Sequence, residues 1–319
     1  MADLQTVRRN QPPQMSYSDK GSLKYESWMD RWIGARETAL DWVTGSRQGD
    51  VLNTDQSESV LKTGMDPGAV LKRALDQIGL TAMDEAGKRV NYNVLRASPA
   101  YAAFRRDSAA VLRSFNPDSL ATRAESLAFW INLYNALVID GVITFGIQHS
   151  ITEIHLGLLT FFRSAAYIVG GQRVSLDDIE HGILRGNRGH PFLPEPHFSS
   201  NDARLAWAIS PADPRIHFAL NCASRSCPPI QVYTPEKLDA QLDLAARSFV
   251  DSSVKIDPAH NRMVISRIFR WYEIDFRGRK GVVDFLITHL PDDQRRAWLV
   301  EHRSSLRLHY APYDWGLNN

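Results

Sequence analysis

Leu127-Ala128-Phe129-Trp130-Ile131-Asn132-Leu133-Tyr134-Asn135-Ala136-Leu137-Val138-Ile139 is the stretch on which the fold turns. It is apolar nearly all the way round a helical wheel, so its helix buries every face and must be central. The pattern predicts a helix from Arg123 to Thr144. Two amides, Asn132 and Asn135, interrupt the apolar surface and share a stripe with Glu125. A buried amide is costly unless it is bonded. Both are therefore expected to bond inside the protein, either holding neighbouring backbone or facing a site and orienting a catalytic or binding group.

Outward from this helix, Pro67–Ile78 and Pro99–Phe115 read as helices, with Arg89–Leu95 between them as an extended segment. Ile151–Phe162 reads as another helix. Ala166–Val174 reads as a hairpin, because Gly170-Gly171 supplies the positive φ of a two-residue turn. Ser175 then caps a helix, with Asp178 as the acidic partner of a capping box. Arg215–Leu220 reads as a strand. Pro235 opens a helix with Leu238, Leu242, Ala245 and Phe249 inside, and Val254–Ser266 has the shape of a second hairpin. Helices near Val282–Leu290 and Asp292–Glu301 follow. Residues 1–22 read as a flexible tail, 23–65 as an N-terminal helix and linker, and 66–319 as the main domain. The predicted class is α+β, a helix-rich single domain around a small, mostly antiparallel sheet.

Hydrophobic residues make up 44% of the 319, enough to bury a core over most of the chain. The formal net charge is +1, with no run of Lys and Arg, so no nucleic-acid partner is expected. The apolar run Leu133–Ile147 is broken by Asn135, Asp140 and Thr144, so no membrane association is expected either. Met1–Lys20 lacks the apolar core of a secretory signal. A cytoplasmic protein is the expectation, or an extracytoplasmic one if a signal has been removed. Two cysteines are too few for a disulfide framework, and free thiols are expected.

Three segments could carry chemistry. The first is the Asn132–Asn135 stripe. The second is Leu176-Asp177-Asp178-Ile179-Glu180-His181-Gly182-Ile183-Leu184-Arg185. A wheel at about 100° per residue places Glu180 on the inner face, where it needs an Arg or a set of backbone amides. It places His181 at the edge, as a partly exposed base. The third is Asn221-Cys222-Ala223-Ser224-Arg225-Ser226-Cys227-Pro228-Pro229, a polar turn holding the only two cysteines. His217-x4-Cys222-x4-Cys227 is looser than the spacing of common zinc modules, so no metal and no cofactor are predicted. Cys222 is expected to be the functional thiol. Arg225 would favour its thiolate, Ala223 and Ser224 would offer free N–H groups, and the Asn221-Cys222 amides could form an oxyanion hole. Pro228-Pro229 deprive Cys227 of such donors. Strand alternation would turn His217 away from Cys222 and leave His181 as the base.

These residues carry a resemblance. Ala128–Ala136, Ser175–Arg185, Asp213–Ser224 with Ser226–Pro229, and Tyr313–Asn318 together resemble the domain-of-unknown-function family 547, over roughly residues 68–319. The resemblance implies that the segments belong to one domain. Fusions of some members to glutaredoxin-like modules imply thiol substrates.

The first functional expectation is a cysteine-dependent hydrolase or acyl transferase acting on a small-molecule or peptide substrate. Cys222 would be the nucleophile, His181 or His217 the base, and Asn135, Asn132 or Glu180 the orienting group. A permuted papain-like arrangement is the matching fold analogy. The alternatives are a binding or interaction domain with a structural cysteine turn or metal clip, and a thiol redox protein using Cys222 and Cys227 together. Oligomeric state stays open.

Overall fold

The computed structural model describes residues 17–47, 49–54, 66–193 and 196–319. Most of the expected tail, and linker residues 55–65, lie outside them. Ten α-helices run in order among the described residues: α1 Tyr17–Thr44, α2 Pro67–Ala82, α3 Tyr92–Arg96, α4 Pro99–Ala103, α5 Arg123–Thr144, α6 Leu158–Ser164, α7 Leu238–Ser253, α8 Ile268–Trp271, α9 Arg279–His289 and α10 Gln294–His302. The strands are β1 Ala166–Val169, β2 Gln172–Ser175, β3 Lys255–Asp257, β4 Arg262–Ile265 and β5 Arg307–Tyr310. The domain is helix-rich α+β, as expected.

The strands form two small sheets rather than one. β1 and β2 make the antiparallel hairpin, with Gly170 and Gly171 both at positive φ. β4 lies between β3, antiparallel, and β5, parallel. A parallel neighbour needs a long crossover, which α8, α9 and α10 supply.

α5 is the centre of the molecule. Every residue from Leu127 to Ile143 is buried. The helix is long and apolar enough to cross a membrane, yet 94% of its most apolar window is buried inside the protein. Each of its buried Leu, Ile and Phe side chains contributes about 1.5–3 kcal/mol. Thr122 and Glu125 form a reciprocal capping box at its start, so Glu125 serves the cap and not the amide stripe. One hydrophobic core surrounds α5. A second gathers Phe218, Phe269 and Met263 with α7, α9 and α10.

Four local expectations are corrected. Residues 151–157 are turns, because Leu156 and Gly157 both take positive φ and delay the helix to Leu158. Arg89–Leu95 gives one bridge at Val90 and then α3, capped by Asn91. The Pro99 helix stops at Ala103 and continues as a π-turn over Phe104–Ala109. Arg215–Leu220 is not a strand. Pro214–Phe218 is a 3-10 helix, started by Pro214 and by the Asp213 side chain accepting from the Arg215 N–H at 3.0 Å. The alternation that set His217 apart from Cys222 therefore does not exist.

Candidate functional site

A cavity of about 260 Å³ lies where the two cores meet, with Tyr134 on one side and Ile268 and Trp271 on the other. Glu180, His181, His217 and Cys222 all line it. The sequence selected these four separately, and the fold brings them to one space.

The helix carrying Glu180 and His181 is a π-helix, Asp178–Leu184. Arg185 N–H donates to Glu180 O at 3.0 Å and Asn187 N–H to Gly182 O at 2.9 Å, each five residues back. Such wide turns recur at functional sites. Ser175 and Asp178 bond reciprocally at its start, as the capping box predicted. The wider turn defeats a wheel drawn for an α-helix, so His181 is 3% exposed rather than at an edge.

Glu180 faces inward, as expected, but its partners are neither Arg nor backbone. Tyr134 and Tyr272 donate their hydroxyls to its two oxygens, at 2.9 and 2.5 Å. Burial, then the Glu180 charge, push both phenols well above their ordinary range, so they stay protonated donors.

The two histidines have different roles. Arg185 Nη1 meets His181 Nδ1 at 3.1 Å, and a guanidinium only donates, so Nδ1 accepts and the proton sits on Nε2. Burial, with His190 and Arg185 nearby, pushes His181 well below its ordinary pKa. The expected base is therefore a neutral, buried ring with its accepting nitrogen occupied. His217 is better placed. Its Nε2 lies 2.8 Å from Asp275 Oδ2, which fixes the tautomer and leaves Nδ1 as the acceptor. Its ring stacks on Tyr272 at 3.8 Å. Burial pushes the Asp275 carboxyl up, but its bonds to His217 and Arg185 outweigh that and hold it well below the usual carboxylate range. Arg185, 1% exposed, grips Asp275 at 2.6 and 3.2 Å and lies 5.0 Å over the Tyr272 ring.

At the cysteine turn the free-thiol expectation is corrected: Cys222 and Cys227 form a disulfide. Asn221 bends the chain back by accepting from Ala223 N–H at 2.8 Å and donating to Pro228 O at 2.6 Å. Ala223 takes positive φ, and the two cysteine Cα atoms come within 6.2 Å, inside the range a disulfide spans. Asn135 pins the entry to this turn, donating to Ala219 O at 3.0 Å and accepting from Asn221 N–H at 2.9 Å. Asn132 holds Tyr233 in the same two-handed way. Both amides are thus backbone clamps.

The amides proposed for an oxyanion hole are taken. Asn221 N–H goes to Asn135, Ala223 N–H to Asn221, and Cys222 N–H to Cys227 Sγ at 2.9 Å. The Arg225 side chain is 60% exposed and lies 3.7 Å from Asp314, its described ionic partner. Ser224 Oγ lies 3.4 and 3.2 Å from the Cys222 and Cys227 sulfurs, and Tyr313 Oη lies 3.3 and 3.2 Å from them. Bridged sulfurs carry no hydrogen, so both hydroxyls donate. Burial keeps the Tyr313 phenol protonated.

Residues 117–250 match the model of a family described as "Protein of unknown function, DUF547". That stretch is similar to DUF547. No curated protein and no solved structure matches the chain. The DUF547 stretch supplies α5, Glu180, His181, His217 and both cysteines. Asp275, Tyr272, Trp271, Tyr313 and Trp315 complete the site from beyond it. Sequence reasoning missed Asp177, Asp275 and Arg185. The one available signal was a carboxylate between apolar neighbours, in Tyr272-Glu273-Ile274-Asp275-Phe276. Among the described residues, no cluster of three or more His, Cys, Asp or Glu is arranged to hold a metal.

Proposed function

We propose that the cavity is a thiol–disulfide exchange site in which Cys222 is the sulfur attacked and Cys227 the sulfur that leaves. The carrying observation is the asymmetry of the bridge. Cys222 lines the cavity, and while Ser224 Oγ and Tyr313 Oη reach both sulfurs, Cys227 Sγ alone also accepts the Cys222 N–H at 2.9 Å. Donors at the departing sulfur stabilise the thiolate that forms there, and the better-stabilised thiolate leaves faster.

A substrate thiol gives its proton to His217 Nδ1. Its thiolate attacks Cys222 Sγ, and the S–S electron pair passes to Cys227. A second substrate thiol releases the oxidised disulfide and leaves a Cys222/Cys227 dithiol. A disulfide-bearing partner, itself reduced, restores the bridge.

The test treats the oxidised protein with benzyl mercaptan, quenches in acid, alkylates freed thiols and maps peptides. Trypsin cuts after Arg225, so the two cysteines separate. Benzyl adducts on Cys222 with alkylated Cys227 are expected, and His217→Gln should slow the exchange most below the pKa of the substrate thiol. Adducts on Cys227, or equally on both, would overturn the assignment. The His217–Asp275 pair also favours a second reading, a cysteine hydrolase or acyl transferase active once the bridge is opened. Acylation of Cys222 by an activated ester in reduced protein alone would favour that reading.

A further inference from the structure

We propose that Asp177 and Glu180 anchor a protonated amine carried on an aromatic or aliphatic body, and that this cavity therefore selects cationic, apolar ligands. Asp177 is 8% exposed and lines the cavity. Among the described residues no donor reaches its carboxylate; His181 Nε2 is the nearest partner, at 3.8 Å. A buried carboxylate without a donor is costly, and a ligand N–H would remove the cost. Glu180 sits three residues on, and its two tyrosine bonds leave further acceptor capacity on each oxygen.

The lining holds three histidines, of which His217 is paired with the Asp275 carboxylate. It includes no Lys or Arg. Arg185, just behind, is spent on Asp275, His181 and Gly189 O. His181 is held neutral by burial, and burial pushes His190 down to about 4. The lining also carries an aromatic cluster: Trp271 lies 4.8 Å from Tyr313 and 5.6 Å from Trp315. Such faces attract ammonium groups and cover apolar bodies.

Burial raises the Asp177 carboxyl to about 7, against Arg163 and His197, which lower it, and with Asp178 and Glu180, which raise it further. Arg163, on α6, is shared with Glu37 and Asp41 of α1, and His197 is bonded to Asp178. A cation binds the ionised form, so affinity should rise with pH and level off above neutrality.

Calorimetry on the oxidised full chain compares phenethylamine, phenethyl alcohol and hydrocinnamate. At about pH 8 the amine should bind at least about tenfold more tightly than either, and that margin should shrink about tenfold by about pH 6. Asp177→Asn should remove both the margin and its pH dependence while keeping the alcohol's affinity. Should that variant not fold, the ligand and pH series on the unmodified chain decides alone. Equal or tighter binding of hydrocinnamate, an amine margin that ignores pH, or no binding of any probe would overturn the proposal. The series is run on the oxidised chain without any thiol, so failure of the thiol-exchange reading leaves this result standing.

Discussion

Asp275→Ala is the most informative perturbation of the site. The Asp275, Arg185 and His217 side chains are each 1% exposed. Asp275 balances Arg185 through two bonds, Arg188 through one and His217 through one. Arg188 is 38% exposed and can turn to water; Arg185 cannot. Removing the carboxylate strands a buried guanidinium, which costs about 3–5 kcal/mol. Asp275→Asn keeps the volume and one acceptor, so it should cost less, about 1–3 kcal/mol. Urea denaturation followed by circular dichroism reads both. The pH dependence has a fixed sign. The folded-state pKa lies below the unfolded 3.8, so the stabilisation is complete above that value and is lost as pH falls through the folded one. The gap between the unmodified protein and Asp275→Ala should therefore narrow in acid. A neutral-pH loss below about 1 kcal/mol for the alanine variant would refute the reasoning, since it would mean that Arg185 finds another partner or reaches water.

Asn135→Leu removes an acceptor from Asn221 N–H and a donor from Ala219 O, both buried, and should cost about 1–3 kcal/mol per stranded group in the same denaturation assay. Gly182→Ala would place a Cβ 2.2 Å from the Phe198 ring, so a loss of about 1–3 kcal/mol is expected, partly recovered by adding Phe198→Leu. Asp177→Asn should stabilise the protein increasingly as pH rises. The folded pKa of about 7 exceeds the unfolded 3.8, so the native protein loses stability across that window, by at most about 4 kcal/mol. Melting temperatures at about pH 5 and pH 8 check this, and a larger gain at the lower pH would sink it.

What the sequence disclosed follows the range of the forces involved. Gly170-Gly171, the Ser175–Asp178 cap and the all-round apolarity of α5 are local statements, and they are realised as read. So is the demand that Asn132 and Asn135 find partners, because burial of the helix alone requires it. The errors arose where periodicity was asked to carry more than it can. A wheel drawn at the α-helical repeat cannot foresee a π-helix, and so misplaced His181. A short apolar alternation before the cysteines could not reveal that Asp213-Pro214 start a 3-10 helix instead. Asp275 and Tyr313 were out of reach altogether. They meet His217 and the sulfurs from 58 and from 91 and 86 residues away.

That distance bears on how the sulfurs are held. The cysteine turn is gripped from the inside by Asn135 of α5 and from the outside by the segment that carries Tyr313. Arg225 N–H donates to Gly316 O at 2.8 Å and Asn318 N–H to Ala223 O at 3.0 Å. The same segment is tied to the body of the domain through Leu317 N–H to His149 O at 2.6 Å and Val90 N–H to Asn318 O at 2.8 Å. Tyr92 adds its hydroxyl to the Asn318 side chain at 2.8 Å. A hydroxyl placed this way is fixed by backbone rather than by a mobile side-chain network, so it reaches both sulfurs without reorganisation. The bonds that close the fold therefore also hold Tyr313 against the two sulfurs. Under the proposed exchange, loosening this segment would weaken thiolate stabilisation and, through buried Leu317, also disturb the core around α5.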